Sequence, residues 1–303
     1  MSGSKSDLKD VSSSGYDNLL KKENSNGGFP TVIKMNQSKN SLRRSSSITK
    51  KPVKQTRFRR IGAVIRIKNQ KIREFLAEIL GSFIFISFGL ASIAQFKFFK
   101  RDDSSYQSTF LSVNLAFGFG IMAAILVVGK VSGAHLNPAV SFAMLLIGRM
   151  SFTRFLAYVA GQFIGSFLAS ILVFMTYFDS LRNYKGGMFS MDMAGIFATY
   201  PHPHLSTLGG LLDQIIGTVF LILVVLALTD KKNAGVGFGM VALSVGFTIS
   251  AIGLAFGHNS GFAINPARDL GPRFFTFIAG WGTQVFTTGN YFFWIPIVGP
   301  MVI

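Results

Sequence analysis

One short pattern occurs twice in the chain. Residues 132–140 read SGAHLNPAV and residues 260–268 read SGFAINPAR, so Ser-Gly and Asn-Pro-Ala recur at the same offset, 128 residues apart. Both copies sit in apolar surroundings, where Asn and Pro are poor choices for a helix interior. Pro lacks an amide hydrogen and fits the first turn of a helix, and Asn is a preferred N-cap. The pattern therefore predicts an extended stretch that exposes carbonyls, followed by a short helix. Asn137 and Asn265 cap those helices, Pro138 and Pro266 open them, and Ala139 and Ala267 follow. Irregular backbone in an apolar setting is tolerated only where it is buried in protein or lines a cavity.

The surroundings have the length of membrane spans. A helix crosses a bilayer with about 20 apolar residues. Runs at 74–98, 110–130, 151–178, 208–229 and 236–257 meet that length, and a sixth begins near Tyr291. The two Asn-Pro-Ala copies fall in shorter apolar stretches between them. The sixth run reaches Ile303 after about 13 residues, short of a crossing, so this helix is expected to be truncated at Ile303. Only 14% of the residues are charged, too few for a soluble surface, which takes roughly 25%. The chain has no cysteine, which excludes a disulfide framework and a thiolate metal site.

The net charge of +17 is concentrated at one end. Residues 1–73 hold 18 of the 30 Lys and Arg against four acidic residues. Residues 1–71, rich in Ser, Asn and Gly, read as a disordered basic tail. Its place is the cytoplasmic side of a membrane, near anionic headgroups, with no nucleic-acid partner. Within it, RRSSS at 43–47 makes Ser46 a candidate phosphorylation site. Lys130, Arg149, Arg154, Lys231 and Lys232 then share the tail's side. The 29-residue third loop is nearly free of charge and suits the outside. KFFKRDD at 97–103 runs against this arrangement. The prediction is a multi-pass protein of the cell membrane with both termini cytoplasmic.

The repeat divides the membrane domain, residues 72–303, into halves at 72–180 and 205–303. Each half holds an odd number of spans, so the two lie in opposite orientations. Inverted repeats built on discontinuous helices suit permeation pathways. Asn137 and Asn265 would then sit at the N-termini of two half-helices that meet near the midplane.

Six spans with paired Asn-Pro-Ala loops, GAHLNPAV in the first and NPAR in the second, closely resemble the aquaporin, or major intrinsic protein, family over about residues 72–303. Asp269 and Arg273 in NPARDLGPR, Pro296 followed by Ile297, and DQIIGT at 213–218 resemble its aquaglyceroporin branch, animal members in particular. Water-only members usually carry a small residue such as Ser in place of Asp269. The resemblance implies an all-α integral membrane fold, a right-handed bundle of six transmembrane helices plus two reentrant half-helices. It also implies a homotetramer with one pore per subunit. Each pore would pass glycerol, water and other small uncharged solutes such as urea, with no cofactor.

The resemblance further places Phe117, Gly253, Phe262 and Arg268 at the selectivity filter. Water-only channels usually have His where this chain has Gly253, and glycine there removes a side chain from the wall. Phe117 and Phe262 form an apolar corner facing the Arg268 guanidinium and a row of carbonyls from Gly133, Ala134, His135, Gly261 and Ala263. A polyol has the same two sides. The His135 side chain reads as a loop brace. Glu78 and Gln214, at equivalent places in the two halves, are expected to bond the extended loop backbones, because buried polar groups need partners. PHPH at 201–204 reads as a solvated external segment. Arg268 and the positive ends of both half-helices would exclude cations and protons. A water-only channel is disfavoured by Gly253 and Asp269. An ion-coupled transporter would need more paired charge at the midplane, and a junctional role would need flatter loops. The sequence holds no nucleophile–base pair, metal cage or phosphate loop, so no enzyme activity is expected.

Overall fold

The computed structural model describes residues 67–99 and 108–302. Ser46, most of the basic tail, Asp102, Asp103 and Ile303 lie outside the described residues. Among the described residues eleven α-helices follow in order: α1 Gln70–Phe99, α2 Phe110–Ser132, α3 Pro138–Leu146, α4 Phe152–Thr176, α5 Phe178–Arg182, α6 Met191–Ala194, α7 Thr207–Thr229, α8 Phe238–Phe256, α9 Pro266–Thr276, α10 Gln284–Tyr291 and α11 Ile295–Val298. No strand occurs among the described residues.

Helices α1, α2, α4, α7 and α8 are long and apolar enough to cross a membrane, and they coincide with the five complete runs. The sixth run continues as short helical segments from Phe292 to Met301. At 1.5 Å per residue it covers roughly 15 Å, about half of a hydrocarbon core. Gly299 in this run lies against Gln214 of α7, where an added Cβ would come within 2.7 Å of the Gln214 Cβ.

Close backbone approach at small residues holds the spans together, as is usual where lipid removes the hydrophobic drive between helices. On α4, a Cβ at Gly165 would lie 2.3 Å from the Ile79 carbonyl oxygen of α1. Where α2 crosses α8, a Cβ on Gly118 would lie 2.5 Å from Gly246 O, and one on Gly246 would lie 2.7 Å from Gly118 O. Large apolar side chains such as Phe88, Phe119, Leu223 and Phe247 point outward and are exposed. That is the surface lipid wants. The two short helices, α3 and α9, both pack against α4 with most of their first turns buried, and they position the site.

Candidate functional site

Each Asn-Pro-Ala copy begins with three residues of left-handed backbone. In the first these are Gly133 (φ +87°), Ala134 (+52°) and Leu136 (+53°); in the second, Gly261 (+82°), Phe262 (+39°) and Ile264 (+39°). The positions match one for one at the 128-residue offset. A non-glycine residue in this region costs roughly 1–2 kcal/mol, so the surroundings must hold it there. Asn137 then caps α3, its side-chain oxygen accepting from Ala139 N at 2.8 Å. Asn265 caps α9 and accepts from Ala267 N at 3.0 Å and Arg268 N at 3.1 Å. Pro138 and Pro266 occupy the first helical turn.

The two caps also tie the halves together. Asn137 Nδ2 donates to Ile264 O at 2.9 Å, and Asn265 Nδ2 donates to Leu136 O at 2.8 Å. The N-termini of α3 and α9 therefore abut. Each Asn amide keeps a second N–H, and both residues line an interior cavity.

Buried side chains supply the partners that the loop backbones lack. Glu78 Oε1 accepts from Ser132 Oγ at 2.6 Å and His135 N at 3.1 Å, while Oε2 accepts from Leu136 N and Gln162 Nε2, both at 2.8 Å. In the second half Gln214 Oε1 accepts from Ile264 N at 2.7 Å, and Gln214 Nε2 donates to Ser260 Oγ at 2.9 Å. The carboxylate missing from Gln214 is next door: Asp213 accepts from Ser260 Oγ at 2.7 Å and Asn259 Nδ2 at 3.0 Å. Each loop thus has one buried carboxylate. His135 Nδ1 lies 3.1 Å from Ser141 Oγ, and its ring packs 5.0 Å from that of Tyr158.

Two cavities meet at one ring of side chains. The first, about 350 Å³, runs from Arg149 and Arg154 past His135, Asn137 and Asn265. The second, about 580 Å³, opens among Lys97, Asp192, Tyr200, His202 and His258. Phe117, Phe262 and Arg268 are the residues lining both. The Phe117 and Phe262 rings meet edge to face at 5.4 Å, and the Arg268 guanidinium lies 5.0 Å from the Phe117 ring centre. Arg268 Nη1 donates to Phe197 O at 3.0 Å, and its buried Nε has no partner in the protein. Gly133, Ala134, His135 and Ala263 line the first cavity, and Gly261 lines the second.

The family model described as major intrinsic protein matches residues 66–302. The chain belongs to the major intrinsic protein family. It is 43% identical over 242 residues to aquaporin-9 of Rattus norvegicus, covering 78% of this chain and 81% of the relative. It is also 43% identical over 242 residues to aquaporin-10 of Homo sapiens, covering 78% and 79%. Its structure is similar to the X-ray structure of the aquaglyceroporin from Plasmodium falciparum, with a TM-score of 0.70 and 33% identity over 77% of this chain and 91% of that one.

Within this major intrinsic protein, Gly253 lies against the Phe262 ring of the junction. Gly253 is not among the residues lining either cavity. A Cβ there would lie 2.1 Å from Asn114 Oδ1 and 2.7 Å from Phe262 Cζ. The space a side chain would take is filled by the Asn114 amide and the Phe262 ring. Asp269 and Arg273 form a buried ion pair with Nε to Oδ1 at 2.8 Å. Asp269 also accepts from Thr199 N at 2.8 Å, and Arg273 donates to Val285 O at 2.6 Å, so the pair fastens the third loop to α9. Pro296 is buried at the start of α11, away from both cavities.

The sequence reading missed several residues of this major intrinsic protein. Asn114, Thr199, Gln162 and Phe197 carry no motif, and Asp213 entered only as the first residue of DQIIGT; their contacts are what single them out. At the Arg154 mouth, Glu74 is buried and pairs with Arg154 Nε at 2.8 Å. PHPH also has company: the His202 ring lies 5.2 Å from that of His204 and 5.1 Å from that of His258. No group able to hold a metal ion occurs among the described residues. Burial raises the Tyr200 phenol above its ordinary value, while the nearby Arg273 acts in the opposite direction.

Proposed function

We propose that the chain is a passive channel of the aquaglyceroporin branch, conducting glycerol, water and other small uncharged solutes such as urea. The observation that carries this reading is the junction of the two cavities at Phe117, Phe262 and Arg268. One side of that junction is aromatic. The other is a guanidinium whose Nε has no partner in the protein. Guanidinium can only donate and carbonyl oxygen can only accept, so a hydroxyl passing between them uses both of its roles. The carbon edge of a polyol meets the two rings. Gly253, at a position where water-only members usually carry His, favours this branch, because it lets the Phe262 ring sit back against α8.

Ion exclusion follows from fixed charge. Arg268 repels cations at the junction, and the positive ends of α3 and α9 meet where Asn137 and Asn265 line the cavity. The second N–H of each Asn points a water oxygen inward and interrupts a proton-conducting chain. Anions lose hydration against Ile121, Ile125, Val245 and Ile249 and regain little. Movement is downhill and needs no cofactor or chemistry. The family resemblance also supports a homotetramer in the cell membrane with cytoplasmic termini.

Purified protein in lipid vesicles tests the reading. Vesicles given an inward glycerol gradient should swell faster than protein-free ones, with a rate indifferent to an imposed proton gradient or voltage. Water flux without glycerol flux would favour a water-only channel. A rate that follows the proton gradient would favour a coupled transporter.

A further inference from the structure

The Phe262 ring lies in a notch cut into α8 by two glycines one turn apart. A Cβ on Gly253 would sit 2.7 Å from its Cζ, and one on Gly257 would sit 3.1 Å from its Cδ1. The other wall of the notch comes from α2. The Cβ position on Gly253 is 2.1 Å from Asn114 Oδ1, and that on Gly257 is 2.6 Å from Phe110 Cζ. One side-chain volume, left open by Gly253, is shared between an amide and the tip of an aromatic ring.

Asn114 is fully buried. Its Nδ2 donates to Phe110 O at 2.8 Å, and its backbone oxygen accepts from Ser250 Oγ at 3.0 Å. Its Oδ1 has no donor in the protein. Turning the amide over would set Oδ1 against Phe110 O, so the observed orientation is the one the chemistry allows. A buried amide oxygen without a donor is unfavourable in an apolar setting. It shares the space beside Gly253 with the tip of the Phe262 ring, whose edge carries partial positive charge.

Resting on the reading as a solute channel, we infer that Asn114 is a specificity-determining positioning residue, the backstop that sets how far the Phe262 ring retreats from the bore. Asn114 is not among the residues lining either cavity and acts through the ring. A smaller residue lets the ring fall back and widens the junction. A bulkier, branched one drives it forward. The amide oxygen also draws the ring edge toward α8, which an apolar residue does not.

The test is a selectivity ratio in reconstituted vesicles, with water, glycerol and a four-carbon polyol as the permeants. Asn114→Ala and Asn114→Ser should raise the permeability to the four-carbon polyol, relative to glycerol, by at least about threefold, a modest share of what one methylene decides in an apolar pocket. Asn114→Leu should lower the same ratio. The opposite signs separate this role from simple loss of helix packing, which would depress all fluxes together. Should Asn114→Ala fail to assemble, the Ser and Leu variants still decide. A ratio equal to wild type in the assembled variants, or parallel loss of every flux, overturns the inference. Wild-type vesicles no more permeable to glycerol than empty ones would instead overturn the channel reading beneath it.

Discussion

A side chain added at residue 253 has nowhere to go but into Asn114 and the Phe262 ring. Gly253→His should therefore push the ring toward Arg268 and narrow the junction. Glycerol permeability is expected to fall about tenfold relative to water, an added barrier of about 1.4 kcal/mol, measured by stopped-flow light scattering on vesicles. Equal loss of both permeants would remove Phe262 from the filter. Arg268 also lines both cavities at that junction. A buried guanidinium bonded to Phe197 O is a fixed positive charge in a narrow passage, where it is screened far less than in bulk water. Arg268→Val should admit cations or protons, read as current across a voltage-clamped bilayer. A variant that stays ion-tight would leave exclusion to the ends of α3 and α9.

The extended loops need partners more than they need sequence of their own. Ser132 and Leu136 meet Glu78 in one half, and Ser260 and Ile264 meet Gln214 in the other. The repeat thus extends to the hydrogen bonds, with Asp213 supplying the charge that Gln214 lacks. Glu78→Gln turns an acceptor oxygen into a donor that faces donors, and is expected to destabilise the protein by about 1–3 kcal/mol. A lower thermal midpoint in detergent would register it. Asp213→Asn should lower the midpoint in the same way. Adding Gln214→Glu to Asp213→Asn returns a carboxylate within reach of Ser260 and should recover it. No recovery would mean that the position of the charge, and not only its presence, holds the second loop.

The two halves are joined at the centre by reciprocal Asn bonds and at the periphery by glycine crossings. The residues that line the two cavities and those that fasten the extended loops belong to the membrane domain beyond residue 72. Removal of residues 1–59 is therefore expected to leave glycerol permeability per channel unchanged in vesicles of neutral lipid. A large loss would give the basic tail a part in the pore. Outward-facing Phe and Leu on the spans are exposed and provide the apolar area that lipid would cover.

Helix positions and half-helix caps were legible from residue types alone. Run length, the missing amide hydrogen of Pro138 and Pro266, and the capping oxygen of Asn137 and Asn265 act within a few residues of backbone, so no distant contact alters them. That Phe117, Phe262 and Arg268 belong to one filter is what the family resemblance implies; residue types alone did not indicate it. What fills the space at Gly253, which carboxylate serves Ser260, and what Asp269 and Arg273 hold were not legible in this way. Those depend on which residues of α2, α7 and the third loop arrive opposite one another, and close packing of distant helices settles that only after the chain has folded.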